Sequence, residues 1–231
     1  MSLSKILLIL FSFLPFIPLG AQNVREIQFK TYAQHPLSDL AYPAQQTKPS
    51  ASRESLKLTP IDSHPLALLG PYGYIGGDTI NFYAPHTRTI EAQVRIPLHS
   101  QEWLLIFTQN PHYPNQAGAL KYRIYPLNAS PAHWPQNHLI FLNLSGMPLA
   151  GKLNQHPTLI QQGESTAYPV SGPTKIQLWM RDSRQNWLSG WLKKIKFRSQ
   201  EQHLVLLFPP VLTGSSALDA RILGTSATLD Q

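Results

Sequence analysis

The sequence predicts an all-β protein, an antiparallel β-sandwich of immunoglobulin-like or jelly-roll-like type, carried behind an N-terminal signal segment. Three observations lead there. Short apolar runs recur at roughly 8–15-residue spacing, separated by Gly and Pro turns, with almost no helical period. Three of those runs, Trp103–Thr108, Leu139–Leu144 and Leu204–Phe208, are apolar on both alternating faces, as strands covered on two sides are. The 231 residues are 42% hydrophobic and only 13% charged, with 21 prolines, which disfavours both charge-rich disorder and a long-helix protein. A propeller would repeat every 40–50 residues or so, and no such repeat is found.

Residues 1–21 have the form of a signal peptide. Lys5 supplies the positive start, Ile6 to Leu14 the apolar stretch, and Leu19-Gly20-Ala21 the small residues before a cut after Gly20 or Ala21. The apolar run is too short and too proline-broken to span a bilayer comfortably, and no later run approaches the roughly 18 residues a membrane helix needs. The chain has no cysteine. Disulfides, thiol nucleophiles, Cys-ligated zinc and iron–sulfur clusters are therefore excluded, and an exported chain must rely on burial and sheet hydrogen bonds.

From Gln22 to Tyr32 weak alternation places Ile27 and Phe29 on one face of a strand expected at a sheet edge. Residues 33–60, rich in Pro, Gln, Ser and Ala, read as a linker or surface wrap with a short strand near Leu56 and Leu58, so 22–60 precedes a sandwich domain expected over 61–224. Within that domain Leu66–Leu69 is a short run, and Tyr72-Gly73-Tyr74-Ile75-Gly76-Gly77 reads as a sharp turn. Asp78–Ala84 and Ile90–Ile96 follow as strands, the second with Ile90, Ala92, Val94 and Ile96 on its buried face. Trp103–Thr108 is a central strand, Leu120–Leu127 another strand, and Leu139–Leu144 the most deeply covered one. Ser145-Gly146 turns the chain into Leu149–Leu153. Leu159–Gln162 and Ser165–Val170 flank a hairpin turn at Gly163-Glu164. Lys175–Arg181 and Trp187–Phe197 form a hairpin around Asp182–Asn186, Leu204–Phe208 ends at Pro209-Pro210, and Leu218–Leu223 closes the sheet before a frayed tail at 225–231. Asn143, polar in a buried strand, is expected to bond the backbone of a neighbouring turn, with Ser145 capping it.

The segments Tyr72-Gly73-Tyr74-Ile75-Gly76, Trp103-Leu104-Leu105-Ile106-Phe107, Phe141-Leu142-Asn143-Leu144-Ser145 and Leu159-Ile160-Gln161-Gln162-Gly163-Glu164-Ser165 together resemble a group of uncharacterised, signal-peptide-bearing bacterial β-sandwich proteins. The resemblance covers most of residues 60–210. It implies the fold and an exported location, and no activity, because none is assigned to that family.

Chemistry-bearing patterns are sparse. Zinc-protease and EF-hand spacings are absent, and no H-x-H occurs among the nine histidines; His133 and His138 merely flank a proline. Gly163-Glu164-Ser165-Thr166-Ala167 lacks the last glycine and the strand-to-helix setting of a nucleophile elbow. Gly76-Gly77 has no following helix or lysine to cradle phosphate. A pair of carboxylates for glycan hydrolysis would have to be drawn from Asp78, Glu91, Glu102 or Asp182, and no spacing selects two of them. No metal, cofactor or catalytic residue is implied.

Charge is distributed more tellingly. Between Lys175 and Arg198 stand seven cations against Asp182 alone, which equals the entire net charge once Lys5 is removed from the formal +7. Lys194, Lys196 and Arg198 share a parity and form a basic row if pairing is regular. Trp179 falls on the polar face with Lys175 and Arg181, and Trp187 and Trp191 share a parity nearby. Exposed tryptophan among cations suits stacking on a sugar ring of an anionic polymer; lysines that merely guard an edge strand against aggregation give the same pattern. Export argues against nucleic acid as the partner. The expectation is a non-catalytic protein of the bacterial envelope, periplasmic or secreted, that binds anionic polysaccharide or another envelope protein through Lys175, Trp179, Arg181, Trp187, Trp191, Lys194, Lys196 and Arg198. A glycan hydrolase with paired carboxylates, or a structural subunit adding strands to a neighbour, are the alternatives.

Overall fold

The computed structural model describes residues 24–46, 56–62, 64–182, 184–212 and 214–226. The expected signal segment, residues 47–55 of the expected linker, and residues 227–231 of the expected tail lie outside them. Among the described residues there is no helix, and the protein is an all-β sandwich protein. The strands in chain order are β1 (Arg25–Ala33), β2 (Leu40–Pro43), β3 (Leu58–Ile61), β4 (Leu68–Gly76), β5 (Thr79–Tyr83), β6 (Ile90–Arg95), β7 (Glu102–Gln109) and β8 (Tyr122–Asn128). There follow β9 (His138–Asn143), β10 (Leu149–Leu153), β11 (His156–Ile160), β12 (Gly163–Glu164), β13 (Tyr168–Pro169), β14 (Gly172–Arg181), β15 (Trp187–Phe197), β16 (Glu201–Phe208) and β17 (Asp219–Ser226).

These strands build two sandwiches of the same topology. In the first, an inner sheet of order β4-β1-β7-β8 faces an outer sheet β3-β2-β5-β6; in the second, an inner sheet β12-β9-β16-β17 faces an outer sheet β11-β10-β14-β15. Each inner sheet contains one parallel pair of strands, β1 with β7 and β9 with β16, and every other pairing between the described strands is antiparallel. The place of the continuous β4 is taken in the second sandwich by two fragments, β12 and β13, both paired to β9. Between them the Ser165 hydroxyl accepts from the Phe141 N–H at 2.9 Å and the Ser165 N–H donates to the Phe141 carbonyl at 2.8 Å, so the interruption leaves that stretch of β9 paired.

Three apolar clusters follow from this plan. Ile27, Phe29, Phe82, Trp103, Leu105 and Phe107 fill the first sandwich, and Leu139, Phe141, Ile176, Leu178, Val205 and Leu207 the second. Between the sandwiches Tyr32, Leu104, Ile106, Ile140, Leu142, Leu204, Leu206 and Phe208 join the two inner sheets face to face. The molecule is thus four layers deep. The two-sided strands of the sequence are β7, β9 and β16, three of the four middle strands of the inner sheets, and their odd and even residues go to different clusters. Trp134, in the segment joining the sandwiches, is only 1% exposed and donates its indole N–H to the His203 carbonyl at 3.1 Å, wedging that connection into the central layer.

Four expectations change here. Residues 25–61 supply strands set within four-stranded sheets: β1 pairs on both sides, with β4 and β7, and β2 pairs with β3 and β5. The span 61–224 divides between two sandwiches. β2 and β3 are four residues each and carry prolines, too short to show a period in sequence. Tyr72–Gly76 is extended, as part of β4, where the sequence reads as a turn. Gly163-Glu164 joins β9 as β12, and the hairpin partner of β11 is β10. Asn143 behaves as expected: buried to 1% exposure, it donates to the Met147 and Ile160 carbonyls at 2.8 and 3.2 Å and accepts from the Ser145 N–H and hydroxyl at 3.1 and 2.7 Å.

Candidate functional site

The second outer sheet is the outermost layer of the molecule on its side, and its sequence is one-signed. Across β10, β11, β14 and β15 there are six Lys or Arg residues and no Asp or Glu, whereas each of the other three sheets mixes signs. Strand pairing then sorts those cations by face. β14 turns Thr174, Ile176, Leu178 and Met180 inward and leaves Lys175, Gln177, Trp179 and Arg181 outward. Opposite them on β15, Lys196 pairs with Pro173, Lys194 with Lys175 and Leu192 with Gln177, so Lys194 and Lys196 lie on the outward face with Lys175. On the other side of β14, Lys152 of β10 pairs with Gln177 and joins the same face.

Lys175 and Lys194 are direct cross-strand neighbours, both exposed. Like charges in that position are destabilising, since the Cβ atoms of such a pair stand only about 5 Å apart. No ion pair among the described residues relieves Lys152, Lys175, Lys194 or Lys196. Arg198 lies just beyond the end of β15, highly exposed, with Glu201 at 3.7 Å. At this end of the sheet a depression of about 600 Å³ is lined by Asn137, Val170, Ser171, Gly172, Lys196 and Arg198.

The aromatic part of the face lies toward the hairpin. Trp179 is half-buried, with Ala150 beside it on β10 and Ser189 on β15, so small side chains flank its ring. Trp187, 50% exposed, pairs with Arg181, whose guanidinium sits 4.5 Å from the ring centroid. Trp191 does not belong to this face. A bulge between Leu178 and Trp179 adds Gly190 to β15, and the one-residue offset turns Trp191 inward against the core while Trp187 stays outward. Gly190 is small for a second reason: a Cβ there would stand 3.1 Å from a methyl group of Leu218, whose N–H donates to the Gly190 carbonyl at 2.8 Å.

Lys152, Leu159 and Leu192 were not singled out by sequence. Leu159 pairs with Ala150, which puts it in line with Trp179 across the sheet, and it is 58% exposed. The signal for Lys152 existed only in the β10–β14 pairing, which joins residues more than twenty positions apart.

Three of the four acidic candidates, Asp78, Asp182 and Glu91, are engaged locally. Asp78 accepts from the Thr79 hydroxyl at 3.0 Å and from Arg95 at 2.8 Å, which hold its carboxyl below the usual range. Asp182 accepts the backbone N–H groups of Asn186 and Arg184, both at 2.8 Å, and its pKa is lowered chiefly by the former. Glu102 is exposed at the start of β7. Glu91 belongs to a cluster that sequence did not disclose: Ser38 Oγ donates to it at 2.7 Å, Lys121 Nζ stands 3.5 Å from it and 3.0 Å from Ser38 Oγ, and the Tyr122 hydroxyl lies 3.1 Å from the same oxygen. A serine nucleophile activated by lysine needs that lysine neutral. Burial does work against the charge of Lys121, but Tyr122 and Glu91 outweigh it and its pKa is raised. The cluster therefore acts as a polar clamp tying the β1–β2 connection to β6 and to the start of β8. His133 pairs with Glu164, and His138 Nδ1 lies 2.8 Å from the Gln136 carbonyl. Among the described residues no group of three or more His, Asp or Glu side chains is placed to hold a metal ion.

No family model and no curated protein matches the chain.

Proposed function

We propose that this is an exported, non-catalytic protein of the bacterial envelope, of the β-sandwich group its motifs resemble, that binds an anionic polysaccharide on the outward face of its second outer sheet. Lys152, Lys175, Lys194 and Lys196 supply charge, Trp179 supplies a ring for stacking, and Arg198 extends the row at the depression. One observation carries the reading: a whole outer sheet whose strands hold no carboxylate, in which Lys175 faces Lys194 and neither has an ion-pair partner among the described residues. A polyanion provides the missing counter-charges, and the repulsion in the free protein becomes attraction in the complex. The same lysines on β15 disfavour strand addition at that edge.

Pulldown on insoluble glycans of either charge tests the proposal. Wild type is expected on anionic matrices, with retention falling as salt rises, and Trp179→Ala and the combined Lys194→Gln, Lys196→Gln, Arg198→Gln protein are expected to be lost from them. If those variants bind as wild type does, the site is wrong.

A further inference from the structure

The end of the second sandwich nearest Trp187 has a different chemistry from the lysine row. β14 runs up to the turn before Trp187, β15 runs back down, and β16 rises again, so the β14–β15 turn and the β16–β17 loop emerge together. They are pinned to each other: the Leu218 N–H donates to the Gly190 carbonyl at 2.8 Å and the Ser216 hydroxyl to the Ser189 carbonyl at 3.1 Å. From this end project Val211 at 79% exposure, Leu212 at 72%, Trp187 at 50% and Leu188 at 38%. Large apolar side chains exposed elsewhere, such as Leu98 or Tyr113, are separate from one another in the chain. Grouped exposure of this kind marks a contact surface.

Cations border the group. Arg181 lies over Trp187 and donates to Gln185 Oε1 at 3.0 Å, and Arg184 is exposed in the turn. The acid among them, Asp182, has its carboxylate taken by the N–H groups of Arg184 and Asn186 and by the Asn186 side chain.

We propose that this tip docks the protein onto an anionic lipid bilayer. Val211, Leu212 and Leu188 enter the interfacial region, Trp187 sits at headgroup level, and Arg181 and Arg184 meet lipid phosphates. A protein partner would need a pocket shaped to two projecting loops, whereas a fluid interface accepts them without one. Charge complementarity selects anionic over neutral lipid. In this orientation β14 and β15 rise from the surface, and the Lys175–Lys194 pair, six residues from Arg181 along β14, stands about 20 Å above it. The inference is independent of the polysaccharide reading, because the lysine row takes no part in the docking.

The test is co-sedimentation of the chain from Gln22 onward, which contains all the described structure, with vesicles of one part phosphatidylglycerol to three parts phosphatidylcholine, and with phosphatidylcholine alone. Binding to the mixed vesicles is expected. Val211→Ser with Leu212→Ser is expected to lower the partition coefficient at least about tenfold, from the apolar area withdrawn. Arg181→Gln with Arg184→Gln is expected to erase the preference for anionic lipid. All four side chains are exposed, so an unchanged urea midpoint shows the variants folded. Absence of binding to the mixed vesicles overturns the proposal. So does binding that survives the Val211/Leu212 change but disappears in Lys175→Gln with Lys194→Gln, which would place lipid on the lysine row.

Discussion

Replacing Trp134 by alanine removes a side chain that is 1% exposed from the layer where the two inner sheets meet. Truncating a buried tryptophan costs about 3–5 kcal/mol when its surroundings relax only partly. The indole N–H bond to the His203 carbonyl, 3.1 Å long, is lost as well, and a buried hydrogen bond contributes about 1 kcal/mol. Against a total stability of about 5–15 kcal/mol this is a large fraction, equivalent to a fall in melting temperature of roughly 8–24 °C for a chain of this size. The clusters inside the two sandwiches share no residue with the central one. Urea unfolding followed by far-UV circular dichroism is therefore expected to separate into two transitions in Trp134→Ala, where wild type shows one. Trp134→Phe, which preserves most of the volume and loses the N–H, is expected to fall between them. Trp187→Ala, at half exposure on the outer surface, is the control and is expected to cost less than about 1 kcal/mol. A Trp134→Ala protein within about 1 kcal/mol of wild type, unfolding in one step, would refute the idea that the central layer couples the halves.

Other outcomes follow from the same geometry. Asn143→Ala strips two carbonyls and Ser145 of their partner and is expected to cost about 2–4 kcal/mol, read as a lower urea midpoint at unchanged slope. Lys175→Glu turns the Lys175–Lys194 repulsion into an attraction, so stability is expected to rise by about 0.2–1 kcal/mol at low salt, the gain to vanish in concentrated salt, and anionic glycan binding to weaken. The urea midpoint is expected to be level between about pH 5 and pH 9. Tyr32, Tyr42 and Tyr74, whose pKa values burial raises, and Lys121, raised by Tyr122 and Glu91 despite burial, contribute stability that is complete below their unfolded values and lost as pH climbs through the folded ones. Asp78 and Asp182, both lowered, contribute stability that disappears only as pH falls through their folded values, below about pH 4. A midpoint sliding steadily between pH 7 and pH 9 would contradict those shifts.

Much of this architecture is legible in the chain, and what is not has identifiable causes. The runs at Trp103, Leu139 and Leu204 declare strands covered on both faces, and they are β7, β9 and β16. A single two-layer sandwich leaves one face of each sheet in water, so two-sided apolarity asks for more layers, which the stacking of the two inner sheets provides. The duplication of topology leaves little trace in residues, because equivalent strands share pattern and pairing rather than side chains; β7 and β16, aligned from their first residues, have only a glutamate and one leucine in common. β2 and β3 are hidden by their shortness and prolines. At the candidate site, alternation alone puts Lys175, Trp179, Arg181, Lys194 and Lys196 on one face, since β14 keeps its alternation from end to end and β15 pairs with it regularly on the Lys194–Lys196 side of the bulge. Parity puts Trp191 on the face of Trp187 only where no bulge intervenes, and one extra residue at Gly190 reverses it. Lys152 was missed because pairing between strands distant in sequence is decided by the tertiary fold.

Amide chemical-shift mapping during titration with a soluble anionic oligosaccharide locates the polysaccharide contact without presuming where it lies. Shifts are expected to concentrate at Lys152, Lys175, Gln177, Lys194 and Lys196 and at the indole N–H of Trp179, with little response to a neutral oligosaccharide of equal length. Shifts confined to the first sandwich, or equal shifts with the neutral sugar, would contradict the proposed site.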